Sequence, residues 1–138
     1  MRSSLALLAA LVILAPAVRA IPADDPVLAK TLQICESNGI EAAMLNLYAD
    51  RPAVAAEMKE KVSALAKGLG NVIDTEVIAT HPVGKRVIRY YVAVYFARRP
   101  LWLRVDRYLG TDKSFFLPLK FSIEPDDILP AYVTDFPP

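Results

Sequence analysis

The pattern of apolar and polar residues changes once along the chain, near residue 72. Before this point, apolar side chains recur every three or four residues, as they do on the buried face of a helix. After it, aliphatic residues alternate with polar and aromatic ones, as they do in strands that bury one face. The pattern predicts an α+β domain with N-terminal helices packed on one face of a curved four-stranded antiparallel sheet.

Three helices are predicted in the N-terminal half. The first begins at Asp25, where a capping carboxylate precedes a proline, and ends at Asn38-Gly39. The second covers residues 40–48, and the third begins near Asp50 and ends at Gly68-Leu69-Gly70. The stripes expected to face the sheet consist of Leu28, Leu32 and Cys35 in the first helix and Val54, Met58, Val62 and Leu65 in the third.

The C-terminal half predicts four strands, at residues 72–80, 86–97, 101–109 and 115–123, with turn residues between them. A slip of one residue turns every side chain of a strand to the other face, so the aliphatic sets must share one side. This requirement predicts cross-strand pairs of Val94 with Leu103 and of Leu103 with Phe121.

The side of the sheet away from the helices is then left with aromatic and arginine side chains. These candidates for a binding face are Arg89, Tyr91, Tyr95, Trp102, Arg104, Tyr108 and Phe116. Aromatic residues and arginine are enriched in the cores of protein interfaces. Three occupants of this face remain open: a second copy or another protein, the chain's own C-terminal arm with Tyr132 and Phe136, or a small apolar ligand.

Residues 1–20 have the layout of a cleavable secretory signal. Arg2 precedes an apolar run from Leu5 to Ala15, and Val18-Arg19-Ala20 places small residues at the positions that a signal peptidase reads. The run is shorter than the ~20 residues that a membrane-spanning helix needs. We therefore expect a secreted or periplasmic protein that no membrane segment anchors after cleavage. The predicted organisation is a signal peptide at 1–20, a single α+β domain at 21–128 and an irregular C-terminal arm at 129–138.

Charge changes this picture only slightly. The chain has 16 basic and 15 acidic residues, and removal of Arg2 and Arg19 with the signal leaves 14 basic residues against the same 15 acidic ones. Binding to nucleic acid relies on a basic field, so this balance argues against a nucleic-acid partner.

The residues available for chemistry are few. Cys35 and His81 are the only cysteine and histidine, so the chain cannot form an internal disulfide or supply the ligands of a zinc site by itself. We expect Cys35 to be a buried free thiol, with an intermolecular disulfide as the alternative, and we expect no cofactor. Asp106 and Tyr108 are the best pair for an isomerase-like proton transfer, but an ion pair of Asp106 with Arg89 or Arg104 is the simpler interpretation.

A resemblance to a known family covers residues 26–128. It is carried by Leu69-Gly70 after the last helix, the strand Tyr91–Phe96, the strand Leu101–Leu103 leading to Tyr108, and Phe121–Ile123 before acidic residues. In this pattern the chain resembles small exported bacterial domains related to nuclear transport factor, within the cystatin-like superfold. The resemblance implies a cystatin-like roll. Members of that superfold include steroid isomerases, polyketide cyclases, dehydratases and plain binding modules, so the shape does not transfer a function.

The strand pair that usually closes a deep cone in the enzymes of this superfold is not found in the sequence. The leading hypothesis is therefore a non-catalytic binding or dimerisation module. The alternative is a small-molecule-binding protein with a cavity between helices and sheet, and an isomerase- or cyclase-like enzyme comes third. A cavity of ~300 Å³ or more would favour ligand binding, whereas a filled interior would favour the module.

Overall fold

The structure is a computed structural model, and it describes residues 24–134. These residues form an α+β fold with a curved, unclosed antiparallel sheet. The elements in chain order are α1 (Pro26–Asn38), α2 (Ile40–Leu47), α3 (Pro52–Ala66), β1 (Val72–Val83), β2 (Val87–Phe96), β3 (Pro100–Leu109), β4 (Ser114–Phe116), β5 (Lys120–Ser122), a 3₁₀ turn (Pro125–Asp127) and α4 (Ala131–Thr134). The predicted signal peptide and the last four residues of the predicted arm, 135–138, lie outside the described residues.

The start of α1 is confirmed in detail. One carboxylate oxygen of Asp25 accepts hydrogen bonds from the backbone N–H groups of Val27, at 2.9 Å, and Leu28, at 3.1 Å. The other oxygen forms an ion pair with Arg107 of β3, which ties the beginning of the helix to the sheet. Gly39 ends α1 with a φ of +95°, a conformation that glycine adopts without strain.

The third helix begins at Pro52, in agreement with the predicted start near Asp50. Arg51, not Asp50, occupies the N-cap position, and its side chain makes no capping hydrogen bond. Pro52 fits the first turn because its missing N–H would have had no partner inside the helix.

The strands follow the order β1-β2-β3-β4, and β5 also pairs with β3. The predicted first strand is too short, since β1 continues to Val83 and His81 lies in the ladder opposite Arg89. Leu103 pairs with Phe121 as predicted. The predicted pair of Val94 with Leu103 is wrong by two residues, because Val94 lies opposite Leu101. A shift of two residues keeps every side chain on its predicted face.

The predicted fourth strand is broken into β4 and β5 by residues 117–119. The buried hydroxyl of Tyr48, from the end of α2, occupies the break. It donates a hydrogen bond to the carbonyl oxygen of Leu117 at 2.9 Å and accepts one from the backbone N–H of Leu119 at 3.0 Å. A helix side chain thus satisfies two backbone groups that lie outside the strand ladder.

One large hydrophobic cluster contains residues from all three long helices and from the strands. Its most deeply buried members are Leu28, Cys35, Met44, Tyr48, Val62, Tyr90, Val92, Val94, Leu101 and Val105. We call the side of the sheet that carries Val92 and Leu103 the core face. Cys35 is 1% exposed within this cluster, which confirms the predicted buried thiol.

The interior of this cluster is filled. The cavity that helix and strand residues enclose there measures about 10 Å³. This is no more than the ~10–15 Å³ that a single water molecule needs, and far less than the ~300 Å³ of a small ligand pocket. The described part of the chain therefore has no room for a ligand at this point.

Candidate binding surface on the outer face of the sheet

The face opposite the core face, which we call the outer face, carries most of the predicted binding residues. Tyr91 lies opposite Arg104, Arg89 opposite Asp106, and Ala93 opposite Trp102. By the same alternation, Tyr95 and Tyr108 belong to this face. The register therefore brings together six of the seven candidates: Arg89, Tyr91, Tyr95, Trp102, Arg104 and Tyr108.

Phe116 is the exception, and its predicted place on the outer face is corrected. It is 4% exposed, belongs to the large hydrophobic cluster and lies opposite Arg107, whose guanidinium carbon is 5.1 Å from the centre of its ring. The break at 117–119 explains the error, because alternation carried through an unbroken strand put Phe115 on the core face instead. Phe115 lies opposite Tyr108, with ring centres 5.4 Å apart.

The centre of the outer face is covered by the chain itself. We call residues 124–134, which contain the 3₁₀ turn and α4, the cover segment. Ile128 and Leu129 of this segment are buried together with Tyr91, which is 7% exposed. Partly buried residues pack around these three: Ile78, Ala79, Trp102 and Val133. The cover thus comes from two aliphatic residues. Of the two aromatic residues named in the alternative of a covering arm, Tyr132 is 65% exposed and Phe136 lies outside the described residues.

Only a few polar contacts hold the cover segment at its beginning. Ser122 donates a hydrogen bond to Asp127 at 2.8 Å and accepts one from the N–H of Glu124 at 3.0 Å. Arg99 donates to the carbonyl of Ile123 at 2.9 Å and lies 3.6 Å from the carboxylate of Glu124, in a pair too exposed to add much stability.

Little buried apolar surface holds the segment closed. Ile128 and Leu129 are buried, and Val133 is partly buried. Burial of an isoleucine and a leucine contributes about 1.5–3 kcal/mol each, and the loss of backbone freedom opposes this contribution.

The outer face continues beyond the cover segment as a group of charged and aromatic residues. Arg89 donates two hydrogen bonds to Asp106, each 2.9 Å long. This confirms the predicted cross-strand ion pair, and the contact with Asp106 raises the pKa of Arg89. Because both carboxylate oxygens of Asp106 accept from one guanidinium, Asp106 is not arranged as a free base beside Tyr108.

Arg104 is next to this pair and is partnered unfavourably. It lies directly opposite Lys120 of β5, and like charges in this position destabilise a sheet. Among residues 24–134, neither side chain takes part in an ion pair. The outer face therefore presents two cations that a carboxylate from elsewhere could neutralise.

Tyr95 lies at the other end of the face and already has a polar partner. Its hydroxyl donates a hydrogen bond to Glu76 of β1 at 2.7 Å. Burial, together with this carboxylate, raises the pKa of Tyr95 to about 12. The hydroxyl therefore stays protonated at neutral pH and is committed to Glu76.

Sequence reasoning missed Arg51. Its guanidinium carbon lies 4.8 Å from the ring centre of Phe115 and 5.8 Å from that of Tyr48, a cation–π arrangement. Two of its nitrogens are buried without a hydrogen-bond partner among the described residues. An arginine before a proline carries no pattern that signals such a contact, because the nearer ring, that of Phe115, comes from a distant part of the chain.

The described surface also contains open grooves. One of about 550 Å³ lies between α3 and β5 and is lined in part by Met58, Leu119, Phe121 and Ile128. Another of about 1050 Å³ borders α2, α3 and the start of β1, and a third of about 630 Å³ borders α1, α2 and β4. Within residues 24–134, no three side chains of the types that ligate metals come together.

Comparison with models of protein families, with curated proteins and with solved structures finds no match for this chain. In the part of the chain that the structure describes, no helix has the length and apolar character needed to cross a membrane.

Proposed function

We propose that the mature chain is an exported, non-catalytic module that binds a second copy or another protein through the outer face of its sheet. In this proposal, the three long helices cover the core face and the domain is a cystatin-like roll. The filled interior supports a surface function, since about 10 Å³ of enclosed space leaves nothing for a ligand to enter.

The observation that carries the proposal is that Arg104 and Lys120 form no ion pair with any residue among 24–134. The like charges of Arg104 and Lys120 lie opposite each other on a sheet whose neighbouring strands also pair Tyr108 with Phe115, at a ring-centre distance of 5.4 Å. Arginine beside aromatic rings is typical of interface hot spots. A carboxylate supplied by a partner would remove the repulsion and form charge-assisted hydrogen bonds with Arg104.

The alternative, a small-molecule-binding protein, would have to use a surface groove. The groove between α3 and β5 has a volume within the range of ligand sites, about 300–1000 Å³. It is open to solvent and shares Ile128 with the cover segment. An isomerase-like enzyme has less support, because both carboxylate oxygens of Asp106, the candidate base, accept hydrogen bonds from Arg89.

Export is the part of the proposal that rests on residues 1–20 alone. Cleavage after Ala20 would leave a mature chain that begins at Ile21. The intact mass of the protein recovered from the periplasm or the medium tests this start, and the mass of the uncleaved precursor in that fraction would contradict it.

Sedimentation of the mature chain over a range of concentrations tests the binding surface. We expect wild type to dimerise, and Arg104→Glu to weaken the dimer by tenfold or more, about 1.4 kcal/mol. Lys59→Glu is the matched control, since it makes the same charge change at a half-buried position on α3 and should leave the dimer unchanged. Equal effects of the two substitutions would contradict a contact through the outer face.

A further inference from the structure

We propose that the cover segment is exchanged between two copies of this chain, so that Ile128 and Leu129 of one copy dock on Tyr91 and Trp102 of the other. This inference rests on the proposed association through the outer face and names the element that makes the contact. The partner is a second copy of the chain, because the outer face already accepts this segment from its own chain.

The cover segment can leave without opening the interior. Its buried residues form a cluster of their own, separate from the large cluster that holds Val92 and Leu103. Removal of Ile128 and Leu129 would uncover Tyr91 and Trp102, neither of which belongs to the large cluster. Local opening of this kind needs far less free energy than global unfolding.

The segment also has the structure of a unit that moves as one piece. Its backbone hydrogen bonds are internal: Ile128 and Leu129 both donate to the carbonyl of Pro125, and Val133 donates to that of Pro130. None of its residues pairs with a strand of the sheet. A change of backbone angles around residues 123–124, next to the short β5, would therefore redirect the whole segment, as in domain swapping.

Charge favours a contact between copies. The segment carries Glu124, Asp126 and Asp127, while the outer face carries Arg104 and Lys120 without ion-pair partners among the described residues. Within one chain, Asp127 is bound to Ser122 and forms no ion pair. A twofold axis brings two outer faces together, so that the acidic segment docked on each face meets Arg104 and Lys120 of the facing one.

Cross-linking between two single-site variants tests the exchange in the full-length mature chain. One variant carries Ala79→Cys on the sheet, opposite Tyr91, and the other carries Val133→Cys on the cover segment; both positions pack against the small cluster. The two chains bear tags of different mass, are mixed at a concentration where wild type is dimeric, and are treated with a short bis-maleimide. Cys35 is buried and stays in place, and wild type provides the control for its reaction.

We expect a product that joins position 79 of one chain to position 133 of the other, identified by peptide mapping. Adding Leu129→Asp to the Val133→Cys chain should lower this product tenfold or more, because a charge on the docking residue releases the segment. A chain with both cysteines that links only to itself, with no product between chains, would overturn the exchange.

Sedimentation of the same samples separates the two proposals. A wild-type dimer that gives no product between positions 79 and 133 contradicts the exchange alone, and the contact through the outer face remains. A protein that is monomeric throughout contradicts both the exchange and the dimer.

Discussion

Tyr90 and Tyr91 are neighbours in β2, and they show how differently the two faces of the sheet are buried. Tyr90 belongs to the large cluster, which draws on every long helix and on β1 to β3. Tyr91 is buried almost as fully, but only Ile128 and Leu129 are buried with it. Two side chains that are almost equally buried are thus covered by very different numbers of residues. We expect that only the small cluster around Tyr91 can open without unfolding of the domain.

The largest expected effect compares two leucines, one from each cluster. Leu101→Ala, at a site that is 0% exposed in the large cluster, should lower the free energy of unfolding by about 2–5 kcal/mol, since it leaves a cavity. Leu129→Ala, at a site that is 9% exposed, should lower it by about 1 kcal/mol or less, because the loss cannot exceed the free energy that closes the segment.

Urea denaturation measures both free energies. Trp102 is the only tryptophan and packs beside Leu129, so its fluorescence reports the cover segment. Leu129→Ala should move its emission to longer wavelength while circular dichroism stays unchanged. Equal losses of stability for the two variants would show that the cover segment belongs to the core.

Removal of one hydroxyl group tests how much the two hydrogen bonds of Tyr48, at the break between β4 and β5, stabilise the fold. Tyr48→Phe leaves the partly buried carbonyl of Leu117 and the buried N–H of Leu119 without their partner. We expect a loss of about 1–3 kcal/mol in the free energy of unfolding, the cost of unsatisfied buried polar groups. Tyr132→Phe, at the exposed end of the cover segment, is the control and should change nothing measurable. If Tyr48→Phe behaves like this control, water reaches the break between β4 and β5.

The smallest expected effect is on the reactivity of the Cys35 thiol, and its test needs no substitution. Burial, and after it the charge of Glu36, raises the pKa of the thiol from 9.0 to about 12. The thiol should therefore resist maleimide in the native protein at neutral pH and react after denaturation. Rapid reaction of the native protein would show that Cys35 faces solvent, and that α1 therefore packs its other face against the large cluster.

The same shift gives Cys35 a dependence on pH. The unfolded chain loses the thiol proton at lower pH than the native protein, so the contribution of Cys35 to stability is present below pH 9 and is lost as the pH rises towards 12. The free energy of unfolding, measured at pH 8 and at pH 10, tests this expectation. Cys35→Ala should weaken the dependence of this free energy on pH.

Local rules explain what was predictable. Asp25 before Pro26 gave the start of α1, because a capping carboxylate acts on neighbouring N–H groups. Alternation in β2 and β3 placed six of the seven candidate residues on one face, since the period of a strand is two residues. Arg89 and Asp106 were recognisable as a pair because opposite charges on neighbouring strands attract.

The position of Phe116 is a feature that local rules do not predict. Its face depends on the break at residues 117–119, and Tyr48 satisfies that break from 69 residues away. No pattern within the strand signals a partner so distant in sequence, so alternation was carried through a strand that is in fact two.

By itself, the sequence determined the order of the helices and of β1 to β3, the buried thiol, and the composition of each face apart from Phe115 and Phe116, because these follow from periodicity and from neighbours within a few residues. Only the tertiary structure decided that the interior is filled, that Arg51 lies between the rings of Tyr48 and Phe115, and that Ile128 and Leu129 cover Tyr91. These features depend on which distant surfaces meet, and hydrophobic contact has no direction that a linear pattern could encode.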